Sequence, residues 1–187
     1  MVTAERAREL LSRHGLVHPQ PPDDWTGILP LPAPVERFYQ EVGPADITIE
    51  SYGNAFFLPR LAALWRFQGG YRWNGLTGQP IADWDDDWLV IADPGGDPFI
   101  HSRASGRVLH AVHGTGVWEP VELFADLNTM AACLGHLGAV VASAGEALTD
   151  EGCLIRLEYR EQALVGLQQL LSSTSAAESI LETLGWG

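Results

Sequence analysis

The chain has 187 residues, 46% of them hydrophobic, with 11 basic and 24 acidic side chains and a formal charge of −13. That size and apolar content suit one domain with a sizeable core, and the charge argues against direct binding of nucleic acid, whose phosphates demand clustered cations. The N-terminus, MVTAERARELLSRHG, lacks a signal-peptide stretch, no apolar run approaches the roughly 20 residues of a membrane helix, and Cys133 and Cys153 read as reduced, buried thiols in apolar helix-like segments, so a cytoplasmic domain is expected.

In chain order, residues 3–13 form a short amphipathic helix with Thr3 as N-cap and Ala7, Leu10 and Leu11 inward. Six prolines between His18 and Pro34 impose an extended connector, anchored by Trp25, Ile28 and Leu29. Pro34 starts a helix whose Val35, Phe38, Tyr39 and Val42 share a face, and Gly43 stops it. Asp46 to Tyr52 alternates as a half-buried strand, Phe56 and Phe57 re-enter the core, and Leu61, Leu64 and Trp65 repeat at helical spacing up to Gly69-Gly70. After an irregular stretch over 71–82, the continuous apolar run Trp88 to Ala92 predicts a strand covered on both faces. The turn Pro94-Gly95-Gly96-Asp97-Pro98 follows, then strands over Phe99–Ser102 and Arg107–Val112. Leu123, Leu127, Met130, Leu134 and Leu137 make one helical stripe, and Leu154, Leu157, Leu164, Leu167 and Leu171 make another. Ser175 and Glu178 form an S-x-x-E box opening a last helix through Leu184. Strands in the middle with helices at both ends indicate an α+β domain.

The order of these features, LPAPVERFYQEVG, then FFLP, then WLVIADPGGDPFI and a strand pair, resembles the SUKH superfamily of bacterial immunity proteins and Smi/Knr-type cell-wall regulators. The likeness covers roughly residues 28–137, leaving helical additions at 1–15 and 140–187. It is carried by Leu31, Pro32, Gly43, Gly96 and Asp97. The resemblance implies a central, largely antiparallel sheet wrapped by helices, no cofactor, and action by binding, with toxins such as nucleases or deaminases as partners. Gly96 and Asp97 are expected to be structural, a glycine for an unusual backbone angle and a carboxylate to accept loop N–H bonds.

The chemistry of particular motifs adds little to that. Asp83, Asp85, Asp86 and Asp87 follow a spacing that also opens calcium loops, but Trp88 stands where a loop glycine is required and Pro94 where a bidentate glutamate is, so no metal site is expected. His101, His110 and His113, near Asp93 and Asp97, lack the spacing and cysteine partners of a zinc site and read as hydrogen-bonded structural histidines. His113-Gly114-x-Gly116 lacks the Lys-Ser/Thr of a phosphate loop, and no serine lies in a G-x-S-x-G elbow. Of the seven tryptophans, Trp84 and Trp186 are the best placed for exposure, although burial is the better expectation for each.

Two functional classes follow. One is an immunity-type protein that docks on a basic toxin, with Asp83, Trp84, Asp85, Asp86 and Asp87 as interface candidates. The other is a regulatory or scaffold module bound to a cellular protein. An enzyme or metal-binding protein built on residues 83–113 is the third and weakest.

Overall fold

The computed structural model describes residues 1–114 and 116–186; Thr115, the variable position of His113-Gly114-x-Gly116, and Gly187 lie outside them. The elements are α1 (Ala4–Leu11), α2 (Ala33–Glu41), β1 (Ile47–Ile49), β2 (Phe56–Leu58), α3 (Leu61–Leu64), β3 (Trp88–Ala92), β4 (Phe99–Ser102), β5 (Val108–His110), β6 (Val121–Phe124), α4 (Leu127–Ala144), α5 (Leu157–Leu171) and α6 (Thr174–Thr183). Strands β3 to β6 form an antiparallel meander in sequence order, and β1 pairs with β2 in a separate antiparallel ribbon. Reciprocal hydrogen bonds between Phe57 and Asp93, at 3.0 and 3.1 Å, tie the ribbon to the end of β3. The fold is α+β.

The local rules work where a cap or a steric limit is decisive. The Thr3 side chain accepts the Arg6 N–H, and α2 buries Val35, Phe38, Tyr39 and Val42 as its spacing predicts. Gly43 has φ +65°, and a Cβ there would stand 1.8 Å from the His18 carbonyl oxygen, so both backbone angle and space require glycine. Pro32 caps α2, and Leu31 packs half-buried against the core.

Several expectations are corrected. Leu123 belongs to β6 rather than to the following helix, because Asp126 caps α4 by accepting the Thr129 N–H at 2.7 Å. Leu154 is exposed in the turn before α5, and Leu157 is exposed too. The cap of α6 is Ser173, whose hydroxyl accepts the Ala176 N–H, so Ser175 and Glu178 form no capping box. Ile28 is exposed and anchors nothing, whereas Trp25 packs edge-on against Trp65. Cys133 is buried, its thiol pushed up to about 12 by burial, but Cys153 is exposed. Trp186, by contrast, is fully buried, as expected.

The main core joins both ends of the chain to the sheet. Ala7, Leu10 and Leu11 of α1, the apolar residues of α4, and Ala163, Leu167, Ile180 and Leu181 share one cluster with Leu89, Ile91, Phe99, Val108 and Phe124. The terminal helices are therefore built into the domain. Gly135 lets α1 lie close on α4, since a Cβ there would be 3.1 Å from the Leu10 backbone. The segment from Leu127 to Leu148 is long and apolar enough to cross a membrane, contrary to the sequence reading, yet α1, α5, β1 and β6 all pack against α4.

Helices cover only one face of the meander. The other face, carrying Val90 and Ile100, is covered by Tyr71 and Trp84 of the segment between α3 and β3, with Phe67, Trp88 and Trp118 at the margin. That segment is fastened to β3 by Gln68, which is fully buried. Its amide accepts the Val90 N–H at 2.9 Å, donates to the Val90 carbonyl at 2.9 Å and donates to the Leu64 carbonyl at 2.8 Å. One side chain thus plays the part of a neighbouring strand at the sheet edge. Replacing it leaves Val90 with two buried, unpaired backbone groups, so Gln68→Leu is expected to cost about 2–4 kcal/mol in urea unfolding.

His101 lies on the helix-facing side of β4, fully buried, and neither ring nitrogen has a hydrogen-bond partner among the described residues. Burial first, and then the charge of Arg103, pull its pKa down from 6.5 to about 4. The folded protein therefore keeps the ring neutral while the unfolded chain takes up a proton below pH 6.5. This contribution to stability is complete above pH 6.5 and is lost as pH falls towards about 4. Its size is about 3 kcal/mol. In urea unfolding from pH 8 to pH 4, His101→Leu is expected to remove that part of the slope.

Candidate functional site

The segment that covers the aromatic face also forms a wall of an open groove of about 1120 Å3 between α3 and the turn joining β3 to β4. Gln20 sets one side: its buried amide accepts the Leu61 N–H and donates to the Pro44 carbonyl, both at 2.7 Å, fixing the start of α3. The chain then turns through Gly69 and Gly70, where the Gly70 N–H reaches the Trp73 carbonyl at 2.7 Å. Phe57, Pro59, Phe67, Tyr71 and Trp118 give the groove mostly apolar walls.

The opposite side is the turn after β3. Gly95 and Gly96 have φ +84° and +121°, and the Gly96 N–H donates to Asp93 Oδ1 at 2.5 Å. Asp97 Oδ1 accepts both the backbone N–H of His113, at 2.8 Å, and its Nδ1, at 2.7 Å. Gly96 and Asp97 thus have the structural roles expected of them. The structure adds that the His113 they hold faces the groove.

Charge is unevenly placed along the groove. At one end the Arg60 backbone N–H donates to Asp46 Oδ1 at 2.9 Å, and the Arg60 guanidinium pairs with the same carboxylate. At the other end Asp93 lies beside Tyr71, whose phenol is pushed well above its ordinary range by burial first and then by Asp93 and Asp97. Tyr71 therefore stays neutral at any working pH. Arg66 is exposed on the lip.

The acidic run does not act as a single cluster. Asp83, Asp85 and Asp86 are exposed, while Asp87 is half-buried and is part of the scaffold. Its carboxylate accepts the Ser102 hydroxyl and the Ala104 N–H, both at 2.6 Å, pinning the turn after β4. Asp85 accepts the Asp87 N–H at 2.8 Å. Asp86 pairs at 2.6 Å with Arg72, which also donates to the Trp88 carbonyl at 2.7 Å. Trp84 is only 7% exposed and is no surface anchor. Its ring meets Tyr71 at 5.6 Å, Trp88 at 5.3 Å and Trp118 at 5.5 Å.

Among the described residues no group of three or more His, Cys, Asp or Glu could hold a metal ion. The histidines diverge. His101 is in the core, His110 lies against Phe99 at 5.0 Å with its pKa lowered by burial, and His113 stands at the groove. The two structural glutamines escaped the sequence reading, because an isolated Gln in FQGG carries no periodic signal, and Phe57, expected in the core, is half-buried at the groove.

Fold and site define an α+β domain with an aromatic groove backed by an acidic loop. No family model, curated protein or solved structure matches the chain.

The division of labour within the loop is testable by unfolding. Asp83→Asn is expected to change stability by no more than about 0.5 kcal/mol. Asp87→Ala, which abandons two hydrogen bonds, should cost about 2 kcal/mol, and Trp84→Ala, which opens the aromatic cluster, about 3 kcal/mol.

Proposed function

We propose that the protein is a non-enzymatic binding domain that docks on a basic protein, in the manner of an immunity protein neutralising a cognate toxin by direct contact. The observation that carries this reading is the distribution of charge. None of the described Asp or Glu side chains is buried, and ion pairs among the described residues engage only Glu9, Asp46, Asp86, Glu122 and Asp97, so most of the −13 charge is presented to solvent. A field of that sign accelerates encounter with a cationic partner and selects against acidic ones. The loop carrying Asp83, Asp85 and Asp86 concentrates it on a rigid support, because Trp84 and Asp87 fasten the loop to the sheet.

The SUKH-like order of Leu31, Pro32, Gly43, Gly96 and Asp97 adds support, and a cytoplasmic location accords with neutralising a toxin after it enters a cell. Against catalysis, the His113–Asp97 pair faces a groove lined by neither serine nor cysteine among the described residues, and the Tyr71 phenol in its wall is held protonated by burial and by Asp93.

The test is co-expression with the product of the gene immediately upstream, followed by affinity measurement at about 50 mM and about 500 mM salt. Affinity is expected to fall by at least about tenfold, and Asp83→Asn/Asp85→Asn/Asp86→Asn to slow association with little effect on dissociation. A salt-insensitive complex would remove the electrostatic part. The absence of both a complex and protection from growth arrest would remove the immunity reading.

A further inference from the structure

We propose that the groove receives an arginine side chain of the basic partner, its guanidinium meeting Asp93 and its planar face and stem lying against Phe57, Phe67 and Trp118. The inference rests on the docking reading above and assigns the contact that gives it specificity. Three observations converge on it.

Asp93 is preorganised. Its backbone is tied to Phe57 in both directions, at 3.0 and 3.1 Å, its Oδ1 is held by the Gly96 N–H at 2.5 Å, and its carboxylate also engages the Tyr71 phenol. A carboxylate fixed in this way accepts a guanidinium without first losing rotamer freedom. The surrounding walls are aromatic. Phe57 and Phe67 meet edge-on with centroids 5.7 Å apart, and Trp118 stands 5.9 Å from Tyr71. Ring faces next to a carboxylate are the surroundings in which an arginine, flat and weakly hydrated, is favoured over an aliphatic or an anionic group.

The remaining charges are placed to permit it. Arg60 is committed to Asp46, and Asp97, bonded to His113, lies with Asp93 close enough to Tyr71 for both carboxylates to act on its phenol. Arg66 on the lip and the His113 imidazole would favour an anion instead, and the experiment includes that possibility. The groove and the acidic loop also share structure, since Trp84 packs on Tyr71 and Trp118 from behind. A partner drawn by Asp83, Asp85 and Asp86 is thereby brought to the adjoining concavity.

The test is amide NMR titration of the full chain with N-acetyl-arginine amide, using N-acetyl-norleucine amide and N-acetyl-glutamate amide as comparisons. The arginine derivative is expected to shift Gly70, Gly96 and the Trp118 indole saturably, to bind at least about tenfold more weakly to Asp93→Asn, and to leave the Asp83–Asp86 signals in place. Asp93→Asn keeps an oxygen for the Gly96 N–H, and its own spectrum shows whether it is folded. Equal binding of the norleucine derivative, tighter binding of the glutamate derivative, or shifts confined to residues 83–86 would each overturn the proposal. The two readings fail separately. A salt-dependent complex with the upstream gene product that is indifferent to Asp93→Asn sinks the arginine site and leaves the docking reading. An arginine site without such a complex does the reverse.

Discussion

The buried amide of Gln68 is the contact on which the arrangement of this protein turns. Strand β3 has β4 on one side only, and at Val90 the other edge would present an N–H and a carbonyl to a dry interior. Gln68 satisfies both with a single planar group, and its third bond, to the Leu64 carbonyl, closes the end of α3. Because the amide is bonded at both its nitrogen and its oxygen, the segment from Leu61 to Trp73 has one position against the sheet rather than a range of them. The groove wall inherits that position.

On that support the face of the sheet away from the helices is roofed by aromatic side chains. Trp84, Trp88, Trp118 and Tyr71 interlock at ring separations between 5.3 and 5.9 Å. Large rings suit this task, since an irregular segment has no periodic face and must bury area with a few residues. The cluster couples two surfaces that are far apart in character. Its outer margin carries the acidic loop, and its opposite side forms the aromatic part of the groove. Substitutions in the cluster are therefore expected to disturb both surfaces together, whereas changes to the exposed carboxylates leave the support intact.

Much of the fold was legible in the sequence, for reasons that differ by element. The second helix could be read because its stripe, its prolines and its terminating glycine agree, and Gly43 turned out to be required by the His18 carbonyl as well as by its own backbone angle. The third strand could be read because a run buried on both faces leaves a continuous apolar signature. The sixth strand could not. Its outer residues Val121 and Glu122 are exposed at a sheet edge, so no alternation marks it, and Leu123 fell into phase with the helix beyond Asp126. The caps of the last helix show the same limit at shorter range, since Ser173 and Ser175 are equally good caps until the chain direction is known.

The acidic loop marks the boundary between the two sources of information. Sequence alone determined that residues 83–87 carry charge beside a core strand and that the turn after it needs glycine and a carboxylate, because composition, burial pattern and backbone angle are local properties. Tertiary structure decided which carboxylates are free to meet a partner. Asp87 was taken by the turn after β4, Asp86 stays exposed although paired with Arg72, and Trp84 was taken by a cluster that brings in Tyr71 and Trp118, 13 and 34 positions away in the chain. Only tertiary structure, too, placed Asp93 among Phe57, Phe67 and Trp118, because hydrogen bonds and ring contacts across the sheet depend on which segments meet in space, and no spacing along the chain encodes that.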